Sequence, residues 1–142
     1  MECEIPDINA ANEEIDSILD SYKTVAVVGL STNPEKDSYK VGAFLKEHGY
    51  TIIPVHPKAE EILGEKSYAS LKDIPGPVDI VCLFRPPDQV PPFVDDAIDI
   101  KAKVVWMQLG IVNNAAARKA REAGVDVVMN KCMKVELSRT LG

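Results

Sequence analysis

Five short runs rich in apolar residues, several of them dominated by β-branched side chains, recur along this chain with helical spacing between them. That alternation limits the fold more than any other feature. The runs are Thr24 to Val28, Thr51 to Val55, Asp79 to Phe84, Lys103 to Met107 and Asp126 to Met129. Short uninterrupted apolar runs suit strands buried on both faces, and strands of that kind belong to parallel sheets covered by helices. Between them, Tyr39 to His48 carries Val41, Phe44 and Leu45 at helical spacing, with Gly49 placed as a left-handed cap. Asn113 to Ala123 is alanine-rich, begins at a capping asparagine and stops at Gly124. An acidic helix from Asn12 to Asp20 opens the chain, a helix ending near Ile100 follows the proline-rich Arg85 to Pro92, and a short helix begins after Cys132. Helical turns are expected at Pro57 to Leu63, closed by Gly64, and at Ser70 to Ile74. Pro54 marks the second run as exposed or leaving the sheet, because proline cannot donate to a ladder. The expectation is an α/β, Rossmann-like, doubly wound parallel sheet of about five strands with helices on both faces.

No linker, repeat or low-complexity tract divides the 142 residues, so residues 1–142 are expected to form one domain. The three cysteines, Cys3, Cys82 and Cys132, are scattered and form no C-x-x-C pair, which argues against a disulfide scaffold or a zinc ribbon. No run approaches the roughly 18 apolar residues of a membrane span, and the acidic N-terminus does not resemble a signal peptide. A reducing, cytoplasmic setting is expected. A net charge of −6 argues against nucleic acid and against an anionic membrane as partners, since both are held by clustered Lys and Arg. A small anionic ligand needs only a few local cations and backbone N–H groups.

In a doubly wound sheet the ligand sits at the carboxyl ends of the strands, so the residues there carry the functional signal. The first run delivers Gly29-Leu30-Ser31. A glycine there lets backbone approach a pyrophosphate, and a bulkier residue is expected to block the ligand while sparing the fold. The competing reading is a strand-ending glycine with no ligand. The dinucleotide fingerprint is incomplete, with Ser31 at its second glycine position, although Gly42 suits close helix packing; no P-loop follows. The second run ends in Val55-His56-Pro57-Lys58 and lacks the acid that takes the ribose hydroxyls of NAD. Lys58 instead suits a ribose phosphate, as in NADP or coenzyme A, or is simply a solvated first-turn lysine. The third run ends in Phe84-Arg85-Pro86-Pro87, placing an arginine at the rim for a ligand phosphate or a loop carboxylate. Gln108-Leu109-Gly110 and Asn130-Lys131-Cys132 complete the edge.

Catalytic constellations are thin. A Ser-His-Asp triad would need a histidine held by an orienting acid, and the chain offers only His48, at a helix end, and His56, in a loop. Cys132 stands near a helix N-terminus, which favours a thiolate, but a small residue fitted to a turn is the simpler reading. No catalytic or metal-binding set emerges, and Trp106 and Met107 read as core.

Taken together, Gly29-Leu30-Ser31, Ser38-Tyr39-Lys40-Val41, Ile53-Pro54-Val55-His56-Pro57-Lys58, Glu61-Ile62-Leu63-Gly64, Val104 through Gly110 and Asn130-Lys131-Cys132 resemble the CoA-binding domain family. Within it the chain is similar to small stand-alone CoA-binding proteins and to the N-terminal domain of the succinyl-CoA synthetase α subunit. The resemblance implies coenzyme A or an acyl-CoA as ligand. Gly29, Ser31, Ser38 and Lys40 would serve the phosphates, with Leu30 and Tyr39 counted among the ligand-binding residues of the same segments. Val55, Pro57 and Lys58 would serve the adenine and 3′-phosphate end, with His56 in the same loop at a position where related sequences often have Asn or Thr, and Arg85 and Pro86 would border the same ligand. That synthetase passes phosphate through a histidine of a second domain and needs a nucleotide-binding subunit. This chain stops at Gly142, so binding without ligase activity is expected. The alternatives are an NADP-binding oxidoreductase and a regulatory protein that senses CoA or uses Cys132 as a redox handle. A homo-oligomer or a partner protein using acyl-CoA is compatible with either binding role.

Overall fold

The computed structural model describes residue 6 and residues 9–141; Cys3 lies outside them. Five strands, β1 (Thr24–Val28), β2 (Thr51–Val55), β5 (Ile80–Leu83), β6 (Val104–Met107) and β7 (Asp126–Val128), form one parallel sheet in the order β2-β1-β5-β6-β7. Helices α1 (Asn12–Ser21), α2 (Asp37–Glu47) and α5 (Met133–Leu141) cover one face, and α3 (Val90–Asp99) and α4 (Asn114–Glu122) the other. This is the expected Rossmann-like, doubly wound architecture. The pleat sorts the side chains: Val25, Val27, Cys82 and Trp106 face α1, α2 and α5, whereas Ala26, Val28, Leu83 and Met107 face α3 and α4. Because both faces are covered, every residue of β5 and β6 is buried, which explains runs without polar alternation.

The caps read from sequence are present. Asn113 Oδ1 accepts from the Ala116 N–H at 3.0 Å, and Gly49 and Gly124 hold φ of +91° and +85° behind α2 and α4. Pro54 stays in the sheet, in register with Val27, because β2 is an edge strand. The Pro54 carbonyl faces outward and accepts from the Tyr68 N–H at 3.0 Å, so its missing N–H falls on the side away from β1 and costs no ladder bond.

One expected element is different. Pro57 to Leu63 is not a helical turn; the segment leads into a hairpin of β3 (Glu61–Ile62) and β4 (Glu65–Lys66). The two residues between these strands, Leu63 and Gly64, both have positive φ, 57° and 75°, the requirement of a tight two-residue hairpin turn. Gly64 therefore turns a hairpin instead of ending a helix. The hairpin is tied to α2 by Lys46 Nζ, which donates to the Leu63 carbonyl at 2.5 Å and pairs with Glu65 at 3.0 Å.

Candidate functional site

The winding reverses between β1 and β5, so the crevice of this sheet opens above their carboxyl ends. Gly29 leaves β1 there with φ of +85°. Its N–H donates to the Val55 carbonyl at 3.2 Å, while the Phe84 N–H donates to the Val28 carbonyl at 2.9 Å, so the exits of three strands are stitched together. A Cβ on Gly29 would lie 2.6 Å from the Phe84 carbonyl oxygen and 3.2 Å from Arg85 Cδ. This corrects the expectation that a side chain at Gly29 would spare the fold. The chain's own backbone needs that space.

Ser31 and Ser38 come together. Ser38 is buried in the first turn of α2, and its Oγ accepts from the Ser31 N–H at 3.0 Å. Ser31 Oγ accepts from the Asn33 N–H, and Asn33 Oδ1 from the Glu35 N–H, each at 3.0 Å, which folds the polar loop on itself. Both hydroxyls keep a proton to donate. Lys36 precedes α2 and no side chain caps the helix, so its first-turn N–H groups and partial positive charge face the loop, with Asp37 as the first-turn acid. Gly42 brings α2 close to the loop: a Cβ there would sit 3.1–3.2 Å from Leu63 and Leu30 methyls. Leu30 and Val55 are buried core residues, so only their backbone is available to a ligand. Tyr39 is half-buried against the same core, and Lys40 is exposed.

The loop after β2 is organised by His56. Its Nδ1 accepts from the N–H groups of Lys58 at 3.1 Å and Ala59 at 2.9 Å, so the ring carries its proton on Nε2. The side chain thereby shapes a turn that presents Pro57 and Lys58 to solvent. We expect His56→Leu to lower stability by about 1 kcal/mol, a fall in Tm of roughly 2–5 °C, with His56→Asn close to wild type because its amide oxygen accepts in the same way. Thermal unfolding of both variants checks this.

Arg85 is half-buried and its guanidinium donates to Gln89 Oε1, one helical turn ahead in the segment entering α3; Pro86 beside it is exposed. Among the described residues none of Lys36, Lys40, Lys58 and Arg85 pairs with a carboxylate. His48, by contrast, is committed elsewhere: its Nδ1 lies 2.8 Å from the Phe44 carbonyl and its ring stacks on Phe44. Among the described residues no group of three metal-ligating side chains occurs.

A cleft of about 330 Å³ adjoins this edge. One wall is the first turn and a half of α2, through Asp37, Lys40 and Val41; Phe84, Leu109 and Ile111 come from the exits of β5 and β6, and Lys134 and Val135 from α5. The buried Gln108 and the half-buried Cys132 line it as well. Gln108 Nε2 donates to Cys82 Sγ at 3.1 Å and its Oε1 accepts from the Met133 N–H at 3.4 Å. Burial pushes the Cys82 thiol far up, with the Gln108 hydrogen bond opposing, so Cys82 is an inert core thiol. Cys132 stands immediately before α5, its carbonyl accepting from the Glu136 N–H at 2.9 Å. Sequence reasoning reached the strand ends but missed this cleft, because Phe84, Ile111 and Val135 read as ordinary apolar residues until the tertiary fold aligns them.

Residues 23–138 match the model of the CoA binding domain. The chain is 42% identical over 127 residues to the uncharacterized protein YneT of Bacillus subtilis, covering 89% of this chain and 94% of that one. It superposes on a hypothetical protein from Pyrococcus horikoshii with a TM-score of 0.92 and 45% identity, over 100% of both chains. It is also 43% identical over 63 residues to the α subunit of an ADP-forming acetate–CoA ligase II of Pyrococcus furiosus, a match spanning 44% of this chain and 14% of that subunit. The doubly wound sheet, the polar loop onto α2 and the match over residues 23–138 agree: this chain belongs to the CoA binding domain family.

Proposed function

We infer that the chain binds coenzyme A or an acyl-CoA across the carboxyl edge of its sheet, without ligase activity of its own. The observation that carries this reading is the concentration of four cations, Lys36, Lys40, Lys58 and Arg85, none paired with a carboxylate among the described residues, around a helix N-terminus without a side-chain cap in a chain of net charge −6. Phosphate groups suit such donors. The pyrophosphate is assigned to the Ser31–Ser38 loop and the first turn of α2, with Lys40 alongside. The adenine and 3′-phosphate are assigned to the turn that His56 organises, with Lys58 as the cation. Arg85, held over Gly29 by Gln89, borders both. Residues 1–142 then act as a single binding unit. The expectation of no ligase activity is supported by the two histidines' engagements among the described residues: His56 spends Nδ1 on loop amides, and His48 Nδ1 lies 2.8 Å from the Phe44 carbonyl.

Calorimetry with CoA, dephospho-CoA, NAD and NADP tests the reading. CoA is expected to bind tightest, and Lys58→Ala to weaken CoA three- to tenfold, on the order of 1 kcal/mol, while leaving dephospho-CoA unchanged. Tightest binding of NADP would support an oxidoreductase instead. Incubated with acetate or succinate, CoA, ATP and magnesium, the pure protein is expected to form no acyl-CoA.

A further inference from the structure

Two of the three large apolar side chains that stand exposed among the described residues, Leu109 at 70% and Val135 at 59%, flank one cleft, the 330 Å³ space between α2, the exits of β5 and β6, and α5. Exposed apolar side chains gathered at one concavity mark a binding surface. The cleft interior is apolar too, through Val41, Phe84 and Ile111. We propose that this cleft receives the acyl chain of an acyl-CoA, and that it selects short, uncharged acyl groups. The proposal rests on the CoA reading given above and names the class of ligand for that site.

Continuity argues for this occupant. Lys40 and Asp37 belong both to the cleft wall and to the first turn of α2, the place assigned to the pyrophosphate. A ligand anchored there by its phosphates sends its pantetheine arm across the cleft from the α2 wall, so that the acyl group at the end of the arm lies on the side of Leu109 and Val135. The volume is at the lower end of small-molecule sites, which suits a short chain with part of the thioester arm. The polar groups at its base are already engaged: Gln108 spends its amide on Cys82 and the Met133 N–H, leaving little to solvate a buried carboxylate there. Lys134 is the one lining cation on the α5 side, and its ammonium lies 5.5 Å from the Phe44 ring centroid.

Calorimetric titration with CoA, acetyl-CoA, butyryl-CoA and succinyl-CoA tests the assignment, with the wild type compared with Leu109→Asp and Val135→Asp. Both positions are exposed, and circular dichroism verifies the fold. Two additional buried methylenes make butyryl-CoA roughly tenfold tighter than acetyl-CoA in the wild type. Either aspartate brings that ratio close to one, and succinyl-CoA binds more weakly than butyryl-CoA. If CoA itself does not bind, the functional reading falls and the acyl assignment with it. If CoA binds but butyryl-CoA is no tighter than acetyl-CoA, only the acyl assignment falls. Succinyl-CoA binding tighter than butyryl-CoA would also overturn it, by assigning the cleft to a carboxylate held by Lys134. Light scattering covers the remaining occupant: a dimer that Leu109→Asp dissociates while the butyryl preference persists would assign the patch to a second copy and overturn the proposal.

Discussion

Replacing Gly29 by valine is expected to remove about 3–5 kcal/mol of folding stability, a large part of the roughly 5–15 kcal/mol typical of a domain. Two costs add. A side chain at φ of +85° is strained by roughly 1–2 kcal/mol, and a β-branched one by more. The Cβ would also lie 2.6 Å from the Phe84 carbonyl oxygen, which is backbone at the exit of β5 and can yield only if the strand exits part. Overpacking of this kind costs about 1–3 kcal/mol. Gly29→Ala carries the same Cβ and should lose somewhat less. Urea unfolding of both variants measures the effect. An unchanged midpoint for the valine variant would show that the space above Gly29 is held open for a ligand and not filled by the protein.

Trp106→Ala is expected to cost about 3–5 kcal/mol, the range for truncating a large aromatic in a packed core. Trp106 is fully buried on the α1, α2 and α5 face, among Val128, Met133 and Cys132. Its Nε1–H donates to the Lys131 carbonyl at 2.8 Å, which ties the loop carrying Cys132 to the sheet. Trp106→Phe keeps most of the bulk and removes the donor, so it should cost about 1–2 kcal/mol through the unpaired carbonyl. Because Trp106 is the one tryptophan, circular dichroism must follow unfolding of both variants. A loss below 1 kcal/mol for the alanine variant would mean that the site collapses around the missing ring.

The strands and most helices were legible because their signals are local. Thr24–Val28 and Val104–Met107 are apolar runs, Asn113 is a capping residue, and Gly49 and Gly124 stand at helix ends. The hairpin at Glu61–Lys66 was misread as a helical turn because its strands are two residues long and show no alternation; Leu63-Gly64 was the available turn signal. Pro54 was misread as exposed or leaving the sheet: it is buried and paired in the ladder, because β2 lies at the sheet edge and the Tyr68 segment covers its outer side, which the local sequence does not show.

The sequence by itself determined the class of architecture and the rim on which to search, since periodicity and turn chemistry act between residues close in the chain. It also framed the ligand proposed above, because the polar loop and the scattered cations can be read without any knowledge of packing. Only the tertiary structure decided what those residues do to one another. Gly29 answers to Phe84, 55 residues away, Ser38 closes on the Ser31 amide, and His56 turns inward to hold its own loop. The apolar cleft likewise exists only once α2, two strand exits and α5 converge, because burial and volume are properties of surfaces brought together from distant parts of the chain.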